Sequence, residues 1–124
     1  MQANGSRILI VDDDKIILSI LAKFLQRAGY QTDVAETSRE ALEKVKNQYY
    51  DVALMDIKLP DMEGTDLLLI MNRTSPRMTK IMMTGFASKE NRERSLNRGA
   101  DAYLVKPIAP QQLLKTIKEK LSAK

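Results

Sequence analysis

The chain has 124 residues, 44% hydrophobic and 29% charged, with a net charge of +4, no Cys and no His. That size and balance fit one soluble globular domain with a real core, here the whole of 1–124 with its folded part at about 7–121. The residues it lacks exclude disulfides, Cys nucleophiles, His bases and zinc sites built on sulfur or imidazole. Any metal must be held by oxygen, which favours Mg²⁺, Mn²⁺ or Ca²⁺. A phosphohistidine in its chemistry must sit on a partner. No apolar run approaches the ~20 residues that span a bilayer. The start, Met1-Gln2-Ala3-Asn4-Gly5-Ser6, lacks the pattern of a signal peptide. The expected location is the cytoplasm, with no membrane partner.

A first strand is predicted over about Arg7–Val11 and runs into Asp12-Asp13-Asp14. Ile16, Ile17, Ile20, Leu21, Phe24 and Leu25 then recur at helical spacing, and Gly29 can end that helix. Thr32–Ala35 is a short, mixed strand suited to an edge. Thr37 and Glu40 make a capping box ahead of Ala41, Leu42 and Val45. Val52–Met55 is a wholly apolar strand that stops at Asp56, and Leu67 to Met71 mark a third helix. Lys80–Met83 precedes Thr84-Gly85. A polar helix over about Lys89–Asn97, anchored chiefly by Leu96, ends at Gly99. Ala102–Val105 leads to Lys106-Pro107. Pro110 can open a fifth helix with Leu113, Leu114, Ile117 and Leu121 inward.

Five β-α units in series predict an α/β fold: a flavodoxin-like, doubly wound parallel sheet of order 2-1-3-4-5, with five helices. Ligands bind such sheets beyond the carboxyl ends of the strands, at the switch point between strands 1 and 3. Asp12, Asp13 and Asp56 fall there. Asp14 suits a plain helix cap. Asp12 and Asp13 serve no folding need, and like charges at a strand end cost energy unless a cation offsets them. Asp13 and Asp56 are the obvious direct ligands, with Asp12 acting directly or through water.

Beside Mg²⁺, Asp56 can act as a nucleophile and form an aspartyl phosphate. Lys106 supplies a point charge for a phosphate oxygen. Pro107 pins its loop, where a cis Xaa-Pro bond fits. The Thr84 hydroxyl can donate to a phosphoryl oxygen. Taken singly, each has a plain reading as a loop acid, a solvated lysine or a strand-end threonine; their conjunction carries the argument. Basic residues crowd the C-terminal part (Lys89, Arg92, Arg94, Arg98, Lys115, Lys118, Lys120, Lys124) and are interrupted by Glu90, Glu93 and Glu119. They read as solvated helix faces, and no direct nucleic-acid binding is expected.

Over about Arg7 to Leu121 the chain resembles a response-regulator receiver domain of two-component signalling. The resemblance is carried by Val11-Asp12-Asp13, Met55-Asp56, Leu59-Pro60 with Gly64, Met83-Thr84-Gly85, and Gly99 through Pro107. It implies that Asp56 is the phosphoacceptor. Asp12 and Asp13 would place Mg²⁺ (Mn²⁺ would serve), with Asp56 and the backbone carbonyl of Lys58 as further ligands. Lys106 would bind a phosphoryl oxygen. Thr84 would move to the phosphoryl group, and Tyr103 would swing inward as the surface of helix 4, strand 5 and helix 5 rearranges. The plain reading of Tyr103 is a strand aromatic with a wet hydroxyl.

The implied function is a phosphoacceptor switch, not a turnover enzyme, that assists its own phosphorylation and dephosphorylation. It would be served by a sensor histidine kinase or phosphotransfer protein. Its output would go to a downstream protein or an effector domain outside this chain; a phosphorylation-dependent homodimer is compatible with it. Ala109 replaces the usual capping residue before the last helix. Ala102 stands where many DNA-binding members carry a second acid, which weakens the case for their salt-bridged dimer. The alternative reading is an inactive pseudo-receiver acting as a protein-interaction module. A phosphohydrolase would want an acid where Lys58 stands, and a flavin carrier would want a phosphate loop where Asp12-Asp13-Asp14 stands. Both a stand-alone receiver and a piece of a longer regulator or hybrid kinase fit an end near Leu121.

Overall fold

Five strands pair in parallel in the order β2-β1-β3-β4-β5 in a computed structural model that describes residues 5–123. The strands are β1 (Arg7–Val11), β2 (Gln31–Ala35), β3 (Val52–Asp56), β4 (Thr79–Thr84) and β5 (Ala102–Val105). They alternate with α1 (Lys15–Arg27), α2 (Ser38–Asn47), α3 (Gly64–Thr74), α4 (Lys89–Asn97) and α5 (Pro110–Ser122). This is the expected doubly wound order. Every residue of β3 and β4 is buried. Strands covered by helices on both faces have no solvent side, so apolar residues occupy both parities.

The period of two divides the core into two layers. Leu9, Val11, Ala53, Met55 and Met82 face one side and pack with Ala41 of α2 and Leu67, Leu68 and Met71 of α3. Ile8, Ile10, Val52, Leu54, Ile81 and Met83 face the other and pack with Leu18 and Leu25 of α1 and Leu113 and Ile117 of α5. Each layer is one contiguous apolar cluster, so the strands between them are held from both faces.

Several elements differ from expectation in a way that packing explains. β2 starts one residue early, while β3 extends through Asp56 and β4 from Thr79 through Thr84, because pairing with neighbours continues past the apolar run. In α1 the inward face is centred on Leu18 and Leu25; Ile16 and Ile20 are 71% and 60% exposed. The apolar stripe is too wide for one face, and two of its members are left outside. In α4 the buried residue is Ser95, and Leu96, the expected anchor, is exposed. At the start of α2 the Thr37 hydroxyl accepts from the Glu40 N–H as expected, but the Glu40 carboxylate reaches past Thr37 to the Glu36 N–H. Ala109 gives α5 no side-chain cap, whereas the Asp14 carboxylate caps α1 at the Ile16 and Ile17 N–H groups.

Asp61 lies in the loop between β3 and α3, yet its carboxylate accepts from the Ser38 hydroxyl (2.6 Å) and from the Ser38 and Arg39 N–H groups (3.0 Å each) at the start of α2. Those bonds, the Ser38 hydroxyl first, hold its carboxyl down at about 2. A carboxyl whose folded value lies below its unfolded one adds stability above the unfolded value and loses it as pH falls through the folded one. Asp61→Ala should therefore lower the denaturant midpoint at neutral pH. The gap from wild type should narrow as pH falls from the ordinary aspartate value of about 3.9 towards about 2. A pH-independent gap would show that the charge of Asp61 is not what stabilises this junction.

Candidate functional site

The registers of β1, β3 and β4 bring the functional side chains to one edge. Val11 pairs with Met55, so Asp12 and Asp56 leave the sheet side by side; Asp56 itself pairs with Met83. The ladder continues beyond the strands. Asp12 N–H donates to the Ala35 carbonyl at 3.0 Å and Ile57 N–H to that of Met83 at 3.1 Å. On the far side, Lys106 N–H donates to the Thr84 carbonyl at 2.7 Å. Backbone pairing therefore fixes the root of each functional side chain. The chain then turns through a bridge between Lys58 and Glu63, and α3 begins at Gly64 directly against the Asp56 carbonyl. A Cβ at Gly64 would overlap that oxygen, so the position admits no side chain unless the acid's own backbone moves.

Lys106 joins the edge together. Its ammonium donates to Asp12 Oδ2 at 2.6 Å and to Asp56 Oδ2 at 3.1 Å. The second oxygen of Asp12 accepts from the Asp14 N–H at 2.9 Å, and that of Asp56 from the Lys58 N–H at 3.3 Å. Asp12 is fully buried, Asp56 nearly so, and Asp13 is exposed. One oxygen from each of the three lies within 4.8 Å of the others. That spacing and all-oxygen donor set fit a small hard cation. The peptide bond between Lys106 and Pro107 is cis.

Burial pushes the Asp56 carboxyl above its ordinary value; Lys106 works against that, and the neighbouring Asp12 charge adds to it. For Lys106, burial works to lower the value, but the bonds to Asp12 and Asp56 outweigh it and hold the ammonium above its ordinary range. The site is thus a charged group in which each member depends on the others.

The remaining predicted residues sit around this centre without all touching it. Thr84 is buried, and its hydroxyl accepts from the Phe86 N–H at 2.9 Å. Tyr103 packs against the core layer formed with α2 and α3. Its hydroxyl is buried and has no hydrogen-bond partner among the described residues, so the plain reading of a wet hydroxyl does not hold. The Lys58 ammonium lies 4.6 Å from the centre of the Phe86 ring. That contact, the Asp61 junction and the close approach at Gly64 join segments apart in the chain and were not read from it; the place of Phe86 two residues after Thr84 is the one local signal that could have found the first of them.

An acid cluster and a lysine at the switch point of a five-stranded doubly wound sheet define a receiver-type signalling domain, and known proteins agree. The family model described as the response regulator receiver domain matches residues 8–118. A receiver domain protein (CheY-like) from Methanospirillum hungatei JF-1 superposes with a TM-score of 0.93 at 52% identity, covering 96% of this chain and 95% of that one. The beryllofluoride-activated NtrC4 receiver domain gives a TM-score of 0.90 at 33% identity, over 94% and 97%. The transcriptional regulatory protein ZraR of Escherichia coli (strain K12) is 34% identical over 115 residues, 93% of this chain and 26% of its own length. ResD of Bacillus subtilis (strain 168) is 32% identical over 117 residues, 94% and 48%. The chain thus spans between a quarter and a half of these two regulators. It belongs to the response regulator receiver domain family of two-component signalling.

Removing the ammonium that these two buried carboxylates share leaves them facing each other. Lys106→Met should lower folding stability at neutral pH without divalent cations, on the order of 3 kcal/mol. Equilibrium urea unfolding reads this directly, and an unchanged midpoint would remove Lys106 from its role in holding the acids together.

Proposed function

We propose that this domain is a Mg²⁺-dependent phosphoacceptor switch in which Asp56 takes a phosphoryl group from a partner's phosphohistidine. The observation that supports it most is the setting of the Asp56 carboxylate. It ends a buried strand, bonds the Lys106 ammonium at 3.1 Å and has the oxygens of Asp12 and Asp13 within 4.8 Å. In the transfer an Asp56 oxygen attacks phosphorus. The new P–O bond replaces the P–N bond to the donor imidazole, whose nitrogen keeps the electron pair. Lys106 stays beside the reacting oxygens and offsets charge on the incoming group.

Asp13, Asp12 and the Lys58 carbonyl are the groups that would hold Mg²⁺ with Asp56. Bound there, the ion supplies the positive charge that lets an anionic nucleophile meet an anionic phosphoryl group. Asp12 has both oxygens already engaged, by Lys106 and the Asp14 N–H, which suits a role through water. Asp13 is exposed and suits a direct one. Phosphorylation adds charge and acceptor oxygens beside Thr84 and Lys106. The Thr84 hydroxyl, which accepts from the Phe86 N–H, can move to donate to a phosphoryl oxygen, which biases the β4–α4 loop and the face formed by α4, β5 and α5. Residues 1–124 are read as one receiver unit. A sensor kinase or phosphotransfer protein acts upstream, and a protein target or effector domain acts downstream.

Intact mass after incubation with a small phosphodonor should show a Mg²⁺-dependent phosphoryl-sized gain that disappears in Asp56→Asn. No gain, together with no binding of beryllofluoride, would instead support an inactive pseudo-receiver. Asp13→Ala should weaken Mg²⁺ binding by at least about ten-fold, since even residues outside the coordination shell cost about 10–100-fold when changed. Equal affinity in a calorimetric titration would take Asp13 out of the metal site.

A further inference from the structure

Lys58 brings a second ammonium to an edge that already holds one. Its backbone N–H lies 3.3 Å from Asp56 Oδ1, which places its Cα within about 5 Å of that oxygen once a bond of about 1.46 Å is added. A four-carbon stem rooted so close reaches the carboxylates with ease. Charge alone favours that destination: Asp12, Asp13 and Asp56 carry three negative charges and Lys106 one positive. The Lys58 ammonium is found elsewhere, 4.6 Å from the centre of the Phe86 ring.

Phe86 is itself held for this contact. Its N–H donates to the Thr84 hydroxyl at 2.9 Å, and its carbonyl accepts from the Asn91 side chain at 3.0 Å. The residue is 63% exposed, so the core gains little from it. A large aromatic left in water, fixed through both backbone groups, is well placed to hold a cation over its face.

We infer that Phe86 is a positioning residue for cation binding: its ring holds the Lys58 ammonium off the Asp12–Asp13–Asp56 cluster and so keeps the cluster open to Mg²⁺. The inference rests on the Mg²⁺ reading proposed above. The charges match that role. Three carboxylates with Lys106 leave two net negative charges, which one divalent ion neutralises. A second ammonium inside the cluster would leave only one, and would occupy oxygens that the metal needs.

Calorimetric Mg²⁺ titration of the unphosphorylated full chain tests this with no phosphoryl transfer in the readout. Phe86→Ala should weaken binding by roughly two- to five-fold, the factor that an exposed cation–π contact supplies. Phe86→Tyr, which keeps an aromatic face, should bind as wild type does. Phe86→Ala combined with Lys58→Met should restore the affinity, because the competing charge is gone while the Lys58 backbone carbonyl remains. Wild-type affinity in Phe86→Ala, or a double variant as weak as Phe86→Ala, would overturn the inference. If wild type itself bound no Mg²⁺, the metal reading would fall, an outcome distinct from these.

Discussion

Two carboxylates almost shut off from water face one another at the ends of β1 and β3, and the rest of the edge is organised around that repulsion. The side chains of Asp12 and Asp56 are 1% and 11% exposed. The folded chain raises the Asp56 carboxyl above its ordinary value, so it favours the protonated form. As pH rises past the ordinary value, ionising Asp56 therefore works against folding. Lys106 is the part of the answer that the chain supplies itself. It comes from the far strand of the sheet, 50 residues from Asp56 and 94 from Asp12, and it bonds both.

The parts that hold this charge and the parts that can respond to it differ in how they are packed. β1, β3 and β4 lie between two apolar layers and have little freedom. α4 is attached by polar contacts. Its one buried side chain, Ser95, ends in a hydroxyl with no partner among the described residues. Its ends are held by Asn91 to the Phe86 carbonyl, by Asn72 to the Arg98 carbonyl and by an Arg98–Asp66 ion pair. Contacts of this kind are exchanged at lower cost than a buried apolar face. Thr84 and Tyr103 lie where the firm sheet meets this lightly held helix, one bonded to the Phe86 N–H and the other with a buried hydroxyl unmatched.

Chain order carried most of this in plain view, because strand parity, helix spacing and turn residues are local properties. An acid before a strand and an acid after one serve different ends. Asp51 and Asp101 precede strands, and their carboxylates accept from the Arg7 and Lys80 N–H groups at 2.8 Å, where backbone donors need partners. Asp12 and Asp56 stand at the other ends of strands, where each gives one oxygen to the N–H two residues on and the other to Lys106. What could not be read was set by contacts between distant segments. The inward face of α1 depended on how α5 and the sheet divided its wide apolar stripe. The anchor of α4 was a serine, a residue that carries no apolar signal. The Asp61 carboxylate bonds Ser38 and Arg39 more than 20 positions away, and Lys58 and Phe86 meet across two loops.

The acids and the lysine come from three separate strand ends, so the cluster exists only while the sheet is intact. An unfolded chain holds its carboxylates far apart and offers a cation no comparable site. Whatever ion occupies the edge therefore binds one conformational state alone, and mass action ties its free concentration to the fraction folded. At an ion concentration one hundred times Kd, that linkage amounts to about 2.7 kcal/mol. The ionic content of the surroundings would thus bear on how long the chain survives proteases that attack its open form.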